Sequence, residues 1–297
     1  MKLKIGAGIV TFNPDIDKLK STLILLSPQV DCIYIADNSS ENISDISNMI
    51  EALKCDGCEA RLMPGETNTG VAGGLNRIMK AAIEDGKKWV LTLDQDSQPE
   101  RDLVKILSRA TKFDKLGIIC PRIKDINSGR ILVNFGEDTS KNDKKYQTLH
   151  SCITAGSMIN LEAWNEVGGY DEYLFMDYVD FDYSIRLRKS GYRILQCNQV
   201  IMEHEVGNTE VHRFLFKKVG VMNHSAMRKY YITRNRIYCS YKYYRRFGFR
   251  NIVGIIKTIV LILCYEEDKK HKVSSVMQGV KDGIRDSKQF RGRVNNG

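Results

Sequence analysis

Two aspartates separated by one residue close a short apolar run: Trp89–Leu93 leads directly into Asp94-Gln95-Asp96-Ser97. The run is too apolar for an exposed position, so its carboxylates are expected to emerge at the end of a buried strand. One of them can hold a hard divalent cation while the other reaches a different part of a ligand. Mg²⁺ and Mn²⁺ take oxygen ligands and are commonly shared with substrate phosphates. A second acidic group, Asp177, Asp180 and Asp182, crowds the start of a helical pattern, where the macrodipole favours negative charge. Helical spacing puts Asp177 and Asp180 on nearly one face and turns Asp182 away, and a carboxylate there can act as a general base. His204 follows an apolar run and has no metal-ligand spacing to His150, His212, His224 or His271. Gly70-Val-Ala-Gly73-Gly74-Leu-Asn76 enters a helix, where close backbone approach and the helix N-terminus suit an anion. It is neither GxGxxG nor GxxxxGK[ST], which disfavours a dehydrogenase or a P-loop ATPase.

The elements that must position these residues alternate. Lys4–Thr11, Cys32–Ala36, Ala60–Met63, Trp89–Leu93 and Leu116–Cys120 read as strands. Asp15–Leu26, Ile46–Leu53 and Val71–Glu84 read as helices, and Pro99 is expected to open another. Such alternation predicts an α/β protein with a mostly parallel sheet flanked by helices, and ligands bind beyond the carboxyl ends of its strands. The polar clusters Thr11-Phe12-Asn13, Asp37-Asn38 and Asp94–Asp96 fall there. Beyond Pro121 the pattern becomes α+β. Strands are expected at Ile131–Phe135, Cys152–Ala155 and Arg193–Cys197, helices at Leu161–Val167 and Tyr178–Lys189, and a polar loop at Thr139–Lys145. This half is expected to extend the same sheet.

The chain has 297 residues, 42% hydrophobic and 27% charged, which excludes wholesale disorder. Lys and Arg number 45 against 36 Asp and Glu, a net charge of +9 that suits anionic partners. Eight cysteines without a secretion signal read as reduced thiols, and Cys55-Asp-Gly-Cys58 lacks the second pair of a structural zinc site. No apolar run reaches the ~18 residues of a membrane span, and Ile5–Phe12 makes a better first strand than a signal peptide. A cytoplasmic protein is expected, with contact at the inner face of the membrane left open.

Residues 211–297 differ in composition. Val211–Tyr265 holds twelve Lys or Arg and no Asp or Glu, with tyrosines interleaved. The apolar stretch Asn251–Tyr265 then suits either an interfacial element or a core helix with a solvated basic face. The expected organisation is a catalytic domain over 1–210, with its nucleotide-binding half at about 1–120 and its acceptor half at about 121–210, followed by a basic, Tyr-rich helical extension over 211–297.

Taken in order, six blocks resemble the family 2 glycosyltransferases. They are Val10-Thr11-Phe12-Asn13, Asp37-Asn38-Ser39, Asn68 through Asn76, Asp94–Asp96, Ala155-Gly156-Ser157, and Gly168-Gly169-Tyr170-Asp171-Glu172 with Asp180-Phe181-Asp182. Arg228-Lys-Tyr230-Tyr231-Ile-Thr-Arg234-Asn235 resembles the rhamnosyltransferase branch. The resemblance implies a GT-A fold that binds a nucleotide-diphosphate sugar, and an inverting single displacement. It implies that Thr11, Asn13, Asp37 and Asn38 meet the nucleoside, that Asn68, Gly70 and Asn76 line the sugar-nucleotide pocket, and that Asp94 contacts ribose or sugar. It assigns the metal to Asp96, His204 and Asp94, and the catalytic base to Asp180. Where the family often has Glu-Asp this chain has Val179-Asp180, so Asp177 or Asp182 could share the role; with Gly156 and Ser157 these two are the expected acceptor contacts. Arg228 and Arg234 would face the departing diphosphate.

The expected reaction moves a sugar, in the first instance L-rhamnose from dTDP-β-L-rhamnose, to a hydroxyl of a polysaccharide or lipid-linked glycan precursor, with Mg²⁺ or Mn²⁺. The alternative is another hexosyltransferase using a UDP-sugar such as galactose or glucose. A sugar nucleotidyltransferase would need a Gly-rich, lysine-bearing loop after the first strand, which Thr11-Phe12-Asn13-Pro14 does not supply. A nucleic-acid-binding protein would leave the acidic clusters unexplained, so no nucleic acid is expected; a homodimer stays open.

Overall fold

The computed structural model describes residues 3–55, 57–126, 129, 131–132, 145–204, 210–214 and 217–291. The chain forms two compact units, Met1–Tyr173 with Val179–Glu205, and Leu174–Tyr178 with Val206–Gly297.

In the first unit, β1 (Ile5–Thr11), α1 (Ile16–Leu26), β2 (Cys32–Asp37), α2 (Ile43–Cys55), β3 (Ala60–Met63), α3 (Gly70–Glu84) and β4 (Trp89–Asp94) alternate as their apolar patterns predict. Then come α4 (Leu103–Ser108), β5 (Leu116–Asp125), β6 (Ile131–Leu132), β7 (Tyr146–Thr148), β8 (Ser157–Asn160), α5 (Leu161–Glu166), α6 (Val179–Lys189) and β9 (Arg193–His204). The sheet runs β3-β2-β1-β4-β8-β5-β9-β7, with β6 on β5. Strands β1 to β4 are mutually parallel, β8 is antiparallel to both β4 and β5, and β9 is parallel to β5. The later half therefore extends the first sheet.

Helix α1 starts where the Asp15 carboxylate accepts the backbone N–H of Asp17 and Lys18 at 3.0 and 3.1 Å, and it buries Leu19, Leu23 and Leu26. Helix α3 lies very close to the sheet. A β-carbon on Gly8 would come within 2.4 Å of Ile78, and one on Gly74 within 2.6 Å of Val10. Those two glycines let the N-terminus of α3 meet the carboxyl ends of β1 and β2, where the polar clusters lie.

Three expectations are corrected. Pro99 does not open a helix: Gln98 forms an antiparallel bridge to Glu203, which holds the chain extended, and α4 begins at Leu103. Cys152–Ala155 is not a strand; the Thr154 carbonyl accepts the Thr92 hydroxyl at 2.6 Å, the chain turns, and pairing resumes at Ser157. Arg193–Cys197 is only the first part of a strand that continues to His204. Of the expected strand Ile131–Phe135, Ile131 and Leu132 pair with β5, and the rest lies outside the described residues, as does the Thr139–Lys145 loop before Lys145.

The second unit holds a hairpin, β10 (Glu210–Phe214) with β11 (Lys217–Val221), and three long helices, α7 (Ala226–Tyr244), α8 (Phe249–Tyr265) and α9 (Lys269–Asp286). Its apolar core joins Ile237 of α7, Ile255 and Ile262 of α8 and Val276 of α9. A buried ion cluster supports it: Glu266 accepts Lys229 Nζ at 2.5 Å and Lys272 Nζ at 3.1 Å.

Candidate active site

The turn after β4 carries the acidic pair. Asp94 and Ser97 close it: the Asp94 N–H donates to Ser97 Oγ at 3.1 Å, and the Ser97 N–H to the Asp94 carbonyl at 3.1 Å. Gln95 ties the turn to the end of β1, its Oε1 accepting the Phe12 N–H at 2.9 Å. Asp94 is therefore half-exposed at 47%, and Asp96 stands in solvent at the tip, with no hydrogen bond among the described residues. His204 Nε2 lies 3.6 Å from Asp94 Oδ2, longer than a hydrogen bond. The approach depends on β9 itself: its register against β5 shifts between Pro121 and Arg122, so that Pro121 faces Cys197 while Arg122 faces Ile201. It also depends on Gly156, at φ 75°, where a β-carbon would meet Met202 Sδ at 2.6 Å.

Most of the other expected nucleotide contacts bond to one another. Thr11 and Asp37 are fully buried, and Asp37 Oδ1 accepts the Thr11 hydroxyl at 2.9 Å and the Ser40 hydroxyl at 2.5 Å. Asn38 donates to the Gly70 carbonyl at 3.0 Å and accepts from Thr69 and Arg77, which joins β2 to the start of α3. Asn68, exposed, accepts the Gly70 N–H at 2.8 Å. Asn13, also exposed, accepts the Glu41 N–H at 2.8 Å. Asn76 is buried and latches α3 to the Gly-Gly-Tyr-Asp-Glu block: its Oδ1 accepts the Tyr170 N–H at 2.8 Å, and its amide donates to the Tyr170 carbonyl at 2.9 Å and to Glu172 Oε1 at 2.8 Å. These residues brace the loops at the carboxyl edge of the sheet; Asn13 and Asn68 keep exposed surface there.

Asp180 begins α6 and is partly exposed, accepting the Phe181 N–H at 2.9 Å. It lines a small pocket with Thr154, Ser157, Tyr170 and Tyr183. The Tyr170 and Tyr183 hydroxyls are buried without a hydrogen-bond partner among the described residues. Burial, with the nearby Asp180 charge adding to it, pushes the Tyr170 hydroxyl well above its usual range and keeps it a neutral phenol. Asp182 is fully buried instead and ion-paired at 2.8 Å with Arg186 one turn on, whose guanidinium also reaches the Val167 carbonyl at 2.7 Å. Ser157 is likewise buried, its hydroxyl donated to the Ile153 carbonyl at 2.6 Å. Neither is presented to an acceptor in this geometry.

The remaining expected residues belong to the second unit. Its strap Leu174–Tyr178 immediately precedes α6 in the chain, and Phe175, Asp177 and Tyr178 all have φ near +60°. Asn235, fully buried on α7, donates to the carbonyls of Leu174, Met176 and Asp177 at 2.8 to 2.9 Å. Arg228 forms a two-pronged pair with Asp177 at 3.1 and 3.2 Å. Arg234 is buried, stacked on Tyr231 and donating to Asn235. His224 is pushed down to about 4 by burial and by the Arg228 charge. The sequence reading missed the roles of Asn235, Arg77, Gln95 and Ser40. The Arg234-Asn235 pair, already part of the tail motif, was the signal for the first.

The donor set at the β4 turn fits a hard divalent cation that arrives with a diphosphate: two carboxylates with solvent access and one largely buried imidazole beside Asp94. Among the described residues no three acidic, His or Cys side chains form a closed metal cage. Mg²⁺-type sites normally combine one or two carboxylates with water and substrate phosphate, so a closed cage is not needed.

Comparisons with known proteins bear on this geometry. A sequence model of Glycosyl transferase family 2 matches residues 8–168. The chain is 24% identical to dTDP-rhamnosyl transferase RfbF of Shigella flexneri over 96% of its own length and 97% of that protein's. Its fold is similar to a mannosyltransferase, PcManGT from Pyrobaculum calidifontis, solved with GDP-Man and Mn²⁺: TM-score 0.58, 12% identity, 96% of this chain and 76% of that one. It is also similar to GalNAc-T7, solved with UDP, GalNAc and Mn²⁺: TM-score 0.61, 15% identity, 95% of this chain and 56% of that one. The sheet and its flanking helices have the GT-A architecture of these glycosyltransferases.

Proposed function

The chain belongs to glycosyl transferase family 2, and from that premise we propose that it moves L-rhamnose from dTDP-β-L-rhamnose to a hydroxyl of a polysaccharide or lipid-linked glycan precursor, with inversion. The observation that supports this reading is the β4 turn, where half-exposed Asp94 lies 3.6 Å from His204 and exposed Asp96 follows two residues on, at the carboxyl end of a GT-A strand. Likeness to a dTDP-rhamnosyl transferase over nearly the full length of both chains supports the choice of donor.

Asp96 and His204, with Asp94, would hold Mg²⁺ or Mn²⁺ against the donor diphosphate. When bound, such a cation neutralises the charge that grows on the departing nucleoside diphosphate. Asn13 and Asn68 would meet the nucleotide, on loops braced by Thr11, Asp37, Asn38, Gly70 and Asn76. Asp180 would take the proton of the acceptor hydroxyl as its oxygen bonds to the anomeric carbon. The bond from that carbon to the phosphate oxygen breaks, and its electron pair leaves with the diphosphate. Asp180 is partly exposed at the start of α6, where the helix macrodipole favours negative charge.

The test is Asp180→Asn. It is expected to lower kcat by about 10²–10⁴-fold, the usual contribution of a general base, and to leave donor affinity near wild type. Near-normal turnover would move the base elsewhere.

A further inference from the structure

We propose that α8 docks this protein on an anionic phospholipid bilayer, lying in the plane of the interface. The helix has two apolar faces where a surface helix needs one. Its inner face packs Ile255 and Ile262 against Ile237 and Val276. Its outer face exposes Phe249, Ile252, Val253, Ile256 and Leu263, with Phe249 at 78% and Ile256 at 55%. At 100° per residue these five fall within about 60° of one line along the helix, a continuous stripe and not a scatter of single side chains.

Charge around the stripe selects the occupant. Arg250 and Lys257 are exposed and lie at about 80–100° from that line, along one margin of the stripe. Arg245 and Arg246, also exposed, sit in the turn that leads into the helix. Nowhere in Val211–Tyr265 is there an acidic residue. An anionic bilayer answers both features at once: hydrocarbon takes the stripe, and headgroups take the cations, whose aliphatic stems can snorkel. A second copy of this chain answers only the first. It would bring the same four cations into the contact against only two exposed carboxylates, Glu267 and Asp268 just past the helix, so a two-fold contact would stay net positive. The length fits the orientation as well. Seventeen residues span about 25 Å, short of the ~30 Å hydrocarbon layer. Among the described residues no helix is long and apolar enough to cross a membrane.

The experiment is co-sedimentation of the full chain with sucrose-loaded vesicles, of phosphatidylcholine alone or with a third phosphatidylglycerol, at low and high salt. Binding to the anionic vesicles only, weakened by salt, is expected. Arg250→Gln with Lys257→Gln should weaken the partition about 25-fold, at roughly fivefold per cation. Ile252→Glu with Ile256→Glu should abolish it while the circular-dichroism melt, reporting intact packing of the inner face, stays at the wild-type temperature. Equal pelleting with neutral and anionic vesicles, no pelleting with either, or full binding by the glutamate variant would overturn the proposal. So would light scattering that shows a wild-type dimer turned monomeric by the same glutamates, which would assign the stripe to a second copy.

Discussion

Asn76 separates two accounts of the motif residues that surround the β4 turn. If it lines the nucleotide pocket, its loss weakens donor binding and leaves the fold alone. The structure makes it a latch: buried, with three hydrogen bonds to Tyr170 and Glu172 across ninety-odd residues of chain. Asn76→Ala removes the partners of both the Tyr170 N–H and the Tyr170 carbonyl. Each buried polar group left unsatisfied costs about 1–3 kcal/mol, so the variant should lose about 3 kcal/mol in all. At about 2–4 °C per kcal/mol for a domain of 150–250 residues, the melting temperature should fall by about 6–12 °C. The Gly-Gly-Tyr-Asp-Glu block would loosen upstream of Asp180, so kcat should fall while KM for the donor changes less than about twofold. Differential scanning fluorimetry and initial rates across donor concentration read both effects on one preparation. A donor KM raised tenfold with an unshifted melting temperature would refute the latch and restore Asn76 to the pocket wall.

Asp182→Ala should act on stability: it breaks a buried pair and strands Arg186, a loss of about 3–5 kcal/mol, with acceptor KM unchanged in the folded fraction. A stable protein with a raised acceptor KM would contradict that. For pH, the sign follows from His224, which sits at about 4 in the folded chain against about 6.5 when unfolded. Between those values the unfolded chain binds the extra proton, so stability declines as pH falls from 6.5 to 4. His224→Gln should flatten that part of a melting-temperature profile, and an unchanged slope would remove His224 as its source.

Much of the first unit can be read from its residues because each element carries its own signal. The apolar runs ending at Thr11, Asp37 and Asp94 are buried on both faces of a parallel sheet, and the polar residues that stop them mark the carboxyl edge that carries the candidate site. Elements fixed by distant partners are harder to read. Cys152–Ala155 is more apolar-looking than Ser157–Asn160, yet the Thr92 hydroxyl captures the loop and hands the pairing to the later segment. The strap Leu174–Tyr178 keeps three residues at positive φ with no glycine to announce it, because Asn235, some sixty residues on, collects its carbonyls. Residue type also does not disclose who bonds to whom. Thr11, Asp37 and Asn76 look like ligand contacts in the sequence, and in the fold Thr11 bonds to Asp37 while Asn76 bonds to Tyr170 and Glu172. Asp94 and Asp96 keep the open surface that a ligand requires, with His204 beside Asp94.

The most direct measurement is calorimetric titration of dTDP into the full chain with and without Mn²⁺, repeated for Asp96→Asn and His204→Ala. The account predicts that Mn²⁺ tightens dTDP binding at least about tenfold, a gain of about 1.4 kcal/mol, and that both variants lose this gain while keeping the wild-type affinity measured without metal. Equal dTDP affinity in the wild type with and without Mn²⁺, or a full metal effect in both variants, would contradict it.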